Sequence, residues 1–180
     1  MKIEKNIPLL ENILGARREM FGRDYEPYRN HVYRILHFCF AFHERATDEE
    51  KEKLIIAGCF HDLGMWPGEV VDYLAPSIDL AKRYLIEQGK EQWSPEIEMM
   101  IDLHHKFRAA SNDKYPLVEI FRKGDWVDAT MGMRKFGLPK QVIKEVQDAF
   151  PNLGFHNNLV RLATKEMFVY QRNPLPMMKW

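Results

Sequence analysis

The segment Leu54-Ile55-Ile56-Ala57-Gly58-Cys59-Phe60-His61-Asp62-Leu63-Gly64 constrains the fold more than any other stretch of the chain. On a helix, Leu54, Ala57 and Gly58 share a face with His61, so the imidazole is directed into the interior. Asp62 follows at once, where the helix runs out toward Gly64. A carboxylate beside an inward imidazole is costly to bury unless a partner charge or a cation compensates it. The fold must therefore carry complementary groups to this point from elsewhere. Gly58 leaves room there for another backbone or a ligand to approach.

The surrounding elements read as helices. Apolar residues recur at helical spacing over 7–20, 27–44, 47–63, 77–89, 94–107, 116–133, 139–150 and 157–171. Thr47-Asp48-Glu49-Glu50 is a capping box for the third of these. Ser77 is positioned to cap the fourth, Ser94-Pro95 to start the fifth and Pro139 to open the seventh. Residues 64–76, with Pro67, Gly68 and Pro76, read as a loop. No segment alternates with period two, so the fold class expected is all-α. The expected architecture is one compact helical bundle spanning residues 1–180 as a single domain.

Charge narrows the partners. Lysine plus arginine and aspartate plus glutamate balance at 26 each, which offers no polybasic field for a nucleic-acid polymer or an anionic membrane. No apolar run approaches a membrane span, and Met1 to Lys5 lack the apolar core of a signal peptide. Cys39 and Cys59 sit among apolar residues and read as small buried hydrophobes. A cytoplasmic, reducing location is the expectation. The methionines at 99, 100, 131, 133, 177 and 178 read as packing fillers. The apolar tail 174–180 could pack on the domain or join two copies in a homodimer.

Other helices supply the complementary groups that His61 and Asp62 require. Ile35, Phe38 and Phe42 lie within about 40° of His31, which directs that imidazole inward, whereas His37 and His43 fall off its face. Ile97, Met100 and Ile101 precede His104 on an inward face. His105 is turned by about 100°, toward Glu98 and Asp102. His104 is thus the better ligand candidate, with His105 and Lys106 at a pocket rim. Asp125 follows Val118 and Phe121, and Asp128 comes one turn later. Two carboxylates there repel unless a cation or a basic side chain compensates them, and Arg122 is the ordinary partner for Asp125. Imidazoles and carboxylates converging from four helices suit a borderline or hard divalent ion.

This ordered set resembles the HD superfamily of metal-dependent hydrolases. Asn30-His31-Val32-Tyr33-Arg34-Ile35 resembles its first helix, and Ala57 to Gly64 its central helix and turn. Ile101-Asp102-Leu103-His104 and Gly124-Asp125-Trp126-Val127-Asp128 resemble its later segments, with Gly124 where an alanine often stands. The resemblance covers residues 27–130. It implies an HD-like helical bundle in which His31, His61, Asp62 and Asp125 ligate one divalent metal ion (Mn, Fe, Co, Ni, Zn or Mg). A second ion could be held through His104 or His105. A further histidine expected between the HD pair and that segment is missing. Asp72 and Asp79 stand in that region instead, which favours one ion.

The resemblance implies hydrolysis of a small phosphate ester or nucleotide. His104, His105 or Lys106 would hold phosphate oxygens or move a proton, and Glu69 would position water or protonate a leaving group. Glu69 could equally be an exposed loop carboxylate, and Arg34 an ion-pair partner within the fold. Trp66, Tyr73, Phe107 and Trp126 read either as pocket walls or as core, and Arg17 and Arg18 could approach the pocket. His156 reads as a surface or capping residue. The alternatives are a hydratase, lyase or oxygenase acting on a small non-phosphate compound, a metal-stabilised binding domain without turnover, and a metal-free helical interaction module.

Overall fold

Caps and breakers decide where the helices begin and end. The computed structural model describes residues 2–68, 73–157 and 160–161, and among them there is no strand. The helices are α1 (Pro8–Gly15), α2 (Arg18–Phe21), α3 (Tyr25–Phe42), α4 (Asp48–Phe60), α5 (Met65–Gly68), α6 (Leu74–Glu87), α7 (Ser94–Leu103), α8 (Leu117–Ala129) and α9 (Lys140–Ala149). Together they form a compact all-α bundle. The capping box is present in both directions: Glu50 N–H donates to Thr47 Oγ1, and Thr47 N–H donates to Glu50 Oε2. Pro139 stands at the N-cap of α9, and Gly89 follows α6 with φ +65°.

Several boundaries differ from expectation, each for a local reason. The first expected helix breaks between Gly15 and Arg18. Arg17 N–H donates to Leu14 O, and its guanidinium to Ile13 O, so the last carbonyls of α1 are satisfied without further helix. Ser77 does not cap α6, which starts at Leu74. Its hydroxyl accepts from Gly64 N–H, and so ties down the turn after α4 instead. The expected loop over 64–76 holds the single turn α5. Helix α8 stops at Ala129 rather than Met133, because Gly132 (φ +82°) turns back and donates to Val127 O. That reversal leaves Met131 and Met133 exposed, so they fill no packing gap, whereas Met100 is buried. The expected last helix 157–171, the apolar tail, Glu69 and Asp72 lie wholly or mostly outside the described residues.

A central core gathers Leu10, Leu14, Tyr28, Ile35, Phe38, Leu54, Phe60, Ile97, Ile101, Phe121 and Val127 from the main helices. Burying side chains of this size contributes roughly 1.5–3 kcal/mol each. Cys39 and Cys59 belong to that core, both as free thiols. The most extensive helix pairing is α3 on α8. Gly124 sets its closeness, since a Cβ there would stand 2.5 Å from Cys39 Sγ and 3.0 Å from Ile35 O. At Gly58, by contrast, the atoms nearest an added Cβ are side-chain carbons of Val32 and Leu36, at 3.3–3.6 Å. Among the described residues no helix is long and apolar enough to cross a membrane.

Candidate metal centre

Four helices deliver their polar side chains to one buried point. His31 comes from the middle of α3, and Asp125 from the middle of α8. His61 and Asp62 directly follow α4, and His104 directly follows α7. The last two sites share a device. His61 Nδ1–H donates to Gly58 O at 2.8 Å, and His104 Nδ1–H donates to Ile101 O at 2.6 Å. Each imidazole takes the carbonyl three residues back, at the place where its helix ends. Backbone bonds tighten to the same spacing there: Leu63 N–H donates to Phe60 O, and Lys106 N–H to Leu103 O. This is why α7 stops at Leu103 instead of running on to Phe107.

With their Nδ1 atoms occupied as donors, the rings of His61 and His104 turn Nε2 toward the centre. His31 does the same, its Nδ1–H donating to Asp128 Oδ2 at 2.6 Å. His31 Nε2 lies 3.1 Å from His61 Nε2, 3.6 Å from Asp62 Oδ2 and 3.9 Å from Asp125 Oδ1. His61 Nε2 lies 3.2 Å from Asp62 Oδ2 and 3.9 Å from Asp125 Oδ1. Donors about 2.0–2.2 Å from a common ion stand roughly 3–3.5 Å apart. Two of these spacings fall in that range and the other three are slightly longer, so the residues present could close on one ion.

The two carboxylates divide their oxygens. The second oxygen of Asp62, Oδ1, lies 3.4 Å from His104 Nε2, and that of Asp125, Oδ2, lies 3.6 Å from His105 Nδ1. Three triads consequently keep their ligand atoms within 4.8 Å of one another: His31, His61 and Asp125; His61, Asp62 and His104; His104, His105 and Asp125. Asp62 Oδ1, His104 Nε2 and Asp125 Oδ2 are all buried without a hydrogen-bond partner. Unsatisfied buried atoms are rare in folded proteins, and three in one cluster form a place that could hold a cation.

The electrostatics favour positive charge at this point. Burial opposes a charged His31, but Asp128 and Asp62 outweigh it and hold the imidazole up at about 9. Burial likewise opposes a charged His104, yet Asp62 and Asp125 raise it. Asp62 stays well below the usual carboxylate range: burial works against its charge, and the three histidines overcome that cost. Burial pushes Asp125 up, only partly offset by His104, His61 and His31.

His105 departs from expectation. Because α7 ends before it, its ring turns back to stand 3.9 Å from that of His104 instead of facing Glu98 and Asp102. Its Nε2 is 2.7 Å from the hydroxyl of buried Tyr73. Burial and the neighbouring His104 lower its pKa well below that of a free imidazole, so it is neutral. Lys106 lies half-buried beside it. The Lys106 carbonyl accepts from Arg122 Nη1 and Trp126 Nε1, which ties this turn to α8. Arg122 is not the partner of Asp125; it forks onto Glu119 at 2.7 Å for both bonds. Arg34 is an internal ion-pair partner, held to Asp128. Arg17 stacks over Phe60 at 4.9 Å, and the exposed Arg18 over Tyr25 at 4.6 Å. Trp66 packs on Phe21 and Tyr28, as core. Asn152 Oδ1 accepts from the His156 N–H, and the His156 ring places its Nε2 3.8 Å from Asp128 Oδ2.

Sequence reading missed Phe155, whose ring stacks on His31 at 4.1 Å between centroids. Its position beyond the HD-like stretch gave no periodic signal. The link from Asp128 to His31 was also missed, although matched three-residue spacings, His31 to Arg34 and Asp125 to Asp128, foreshadow it.

No protein-family model matches this chain, and neither a curated protein nor a solved structure does.

Proposed function

We propose that this chain is a metal-dependent hydrolase of the HD type, acting on a small phosphate ester or nucleotide. One observation carries the reading: three imidazole Nε2 atoms and two buried carboxylates from four helices meet at donor spacing, with three lone-pair-bearing atoms left unpaired. His31, His61, Asp62 and Asp125 would hold one divalent ion. Such an ion would lower the pKa of a water toward neutrality and draw charge from a phosphoryl oxygen.

The chain's own residues supply the rest. Asp62 and Asp125 bring two negative charges that keep a cation in place. His105 is the accessible member of the histidine pair, with 18% of its side chain exposed against none for His104. It is neutral, and so offers a lone pair able to accept a proton from a substrate or water oxygen. Lys106, one residue on, would balance phosphate charge, and Glu69 would orient water or protonate the leaving group. The site stays anchored because each inward imidazole has its Nδ1 fixed by an acceptor.

The division of the carboxylate oxygens favours a second reading of the same site. All three unpaired atoms lie on the side of His104 and His105. A second ion there would share Asp62 and Asp125 with the first. Metal content per chain after purification without chelator distinguishes one ion from two.

The reaction class is tested by offering a panel of nucleoside monophosphates and simple phosphate esters to protein loaded in turn with Mn, Fe, Co, Ni, Zn or Mg. The expected result is phosphate release that depends on the metal and is abolished by chelator. His105→Ala is expected to lower kcat by about 10²–10⁴-fold, the span of general acid–base assistance. No turnover of any ester by folded, metal-loaded protein would overturn the hydrolase assignment.

A further inference from the structure

His31 is held unlike the other two inward histidines, and the difference identifies a positioning pair. Its Nδ1–H reaches no carbonyl of its own helix. It meets Asp128 Oδ2, on α8, at 2.6 Å. That carboxylate is in turn gripped on both oxygens by one guanidinium: Arg34 Nε reaches Oδ1 at 2.5 Å, and Arg34 Nη2 reaches Oδ2 at 2.9 Å. Arg34 stands one turn after His31 on α3, and all three side chains are buried. Arg34 Nη1 also donates to Phe150 O at 3.0 Å, and Asn30 Nδ2 donates to Pro151 O at 2.9 Å. The segment after α9 is pinned to α3 in this way, and it returns Phe155 to stack on His31.

We propose that Arg34 and Asp128 act together as a positioning pair that fixes the Nδ1–H tautomer of His31 and presents its Nε2 to the metal site. The pair takes no place in the ligand shell. Asp125 and Asp128 lie one turn apart on α8, and the structure divides their work. Asp125 offers its oxygens to the ligand cluster, while Asp128 spends both of its oxygens on Arg34 and His31. A carboxylate on the outer nitrogen of a ligating imidazole fixes the ring's orientation and raises its basicity toward a metal. A bidentate guanidinium keeps that carboxylate ionised and in plane, which a lysine cannot do to the same degree. The inference rests on the metal-ion reading given above.

Co²⁺ titration of the full chain, followed by its visible absorption, tests both. Wild-type protein is expected to bind Co²⁺. Asp128→Asn keeps the shape and is expected to weaken binding by about 10–100-fold. Arg34→Lys is expected to weaken it less. Glu11→Gln, which removes a charge bonded to Arg29 and Tyr33 and to no proposed ligand, is expected to leave the affinity unchanged. ¹⁵N NMR of wild-type protein loaded with Zn²⁺ supplies a readout independent of any variant: His31 should be protonated at Nδ1 and ligated at Nε2. This spectrum and Arg34→Lys decide the matter if Asp128→Asn does not fold. Equal Co²⁺ affinity in Asp128→Asn and wild type, or a His31 protonated at Nε2, would overturn the positioning pair alone. Failure of wild-type protein to bind either ion would overturn the metal reading, and the pair with it.

Discussion

The inward histidines are fixed by two different means. His61 and His104 are held locally, each by a carbonyl three residues back at the end of its own helix. Their orientation comes with the helix terminus and needs no other part of the chain. His31 sits in mid-helix, and its Nδ1–H leaves its own helix for Asp128. It depends on Asp128 of α8 and on Phe155 beyond α9. One side of the site is thus set by local structure, and the other by the packing of α3 on α8. A change to α3–α8 packing should therefore disturb the site far more than a change of equal size near α4.

The largest effect is expected from Arg34→Met. Removing one partner strands the buried Asp128 charge, and such losses cost about 3–5 kcal/mol. Urea denaturation of the metal-free protein measures it. A loss below 1 kcal/mol, by the same principle, would mean that the α3–α8 side is not held by this pair. Gly124→Ala comes next, because its Cβ would stand 2.5 Å from Cys39 Sγ. Overpacking of this kind costs roughly 1–3 kcal/mol. The Cys39→Ala background should recover part of that loss, and additivity of the two changes would refute the close-approach argument.

On the local side, Thr47→Ala removes the capping box of α4 and should cost about 1 kcal/mol. Co²⁺ affinity should not change, since His61 is held at the opposite end of that helix. A parallel fall in affinity would show that the two sides are not separable. The smallest effect is expected from pH. His37 Nδ1–H donates to Tyr33 O, while its Nε2 accepts from Glu4 N–H. Burial lowers its pKa, with the Tyr33 carbonyl and Glu4 opposing only in part. A histidine whose folded pKa is depressed contributes stability above its unfolded value near 6.5, and that contribution is lost as pH falls through the folded value. Between pH 7.5 and pH 5 the denaturation midpoint of wild type should fall more steeply, or rise less steeply, than that of His37→Gln. Equal slopes would refute this assignment.

The same division explains what could be read from the sequence. Thr47, Gly89 and Pro139 act within a few residues of themselves, and their helix ends appear where the sequence places them. The inward direction of His31, His61 and His104 follows from periodicity, and all three are buried. Asp62 and Asp125 likewise reach the cluster. What escaped reading depends on contacts distant in the chain. Arg122 stands one turn before Asp125 along α8, but Glu119 takes it through the same helical spacing. Ser77 reads as a cap for the residues after it, yet it serves Gly64, thirteen positions earlier. The turn of His105 back toward Asp125 depends on α7 ending at Leu103, which the His104 ring itself brings about. Phe155 reaches His31 only because Arg34 and Asn30 hold the carbonyls of Phe150 and Pro151.

The central claim, that imidazoles and carboxylates from four helices surround a cation, is tested most directly by anomalous diffraction. Crystals grown from protein purified without chelator would be measured at the absorption edges of the first-row metals. The account predicts a peak about 2.0–2.3 Å from His31 Nε2, His61 Nε2 and oxygens of Asp62 and Asp125. Crystals soaked in divalent metal that show no peak at these atoms, or one only on surface residues, would contradict it.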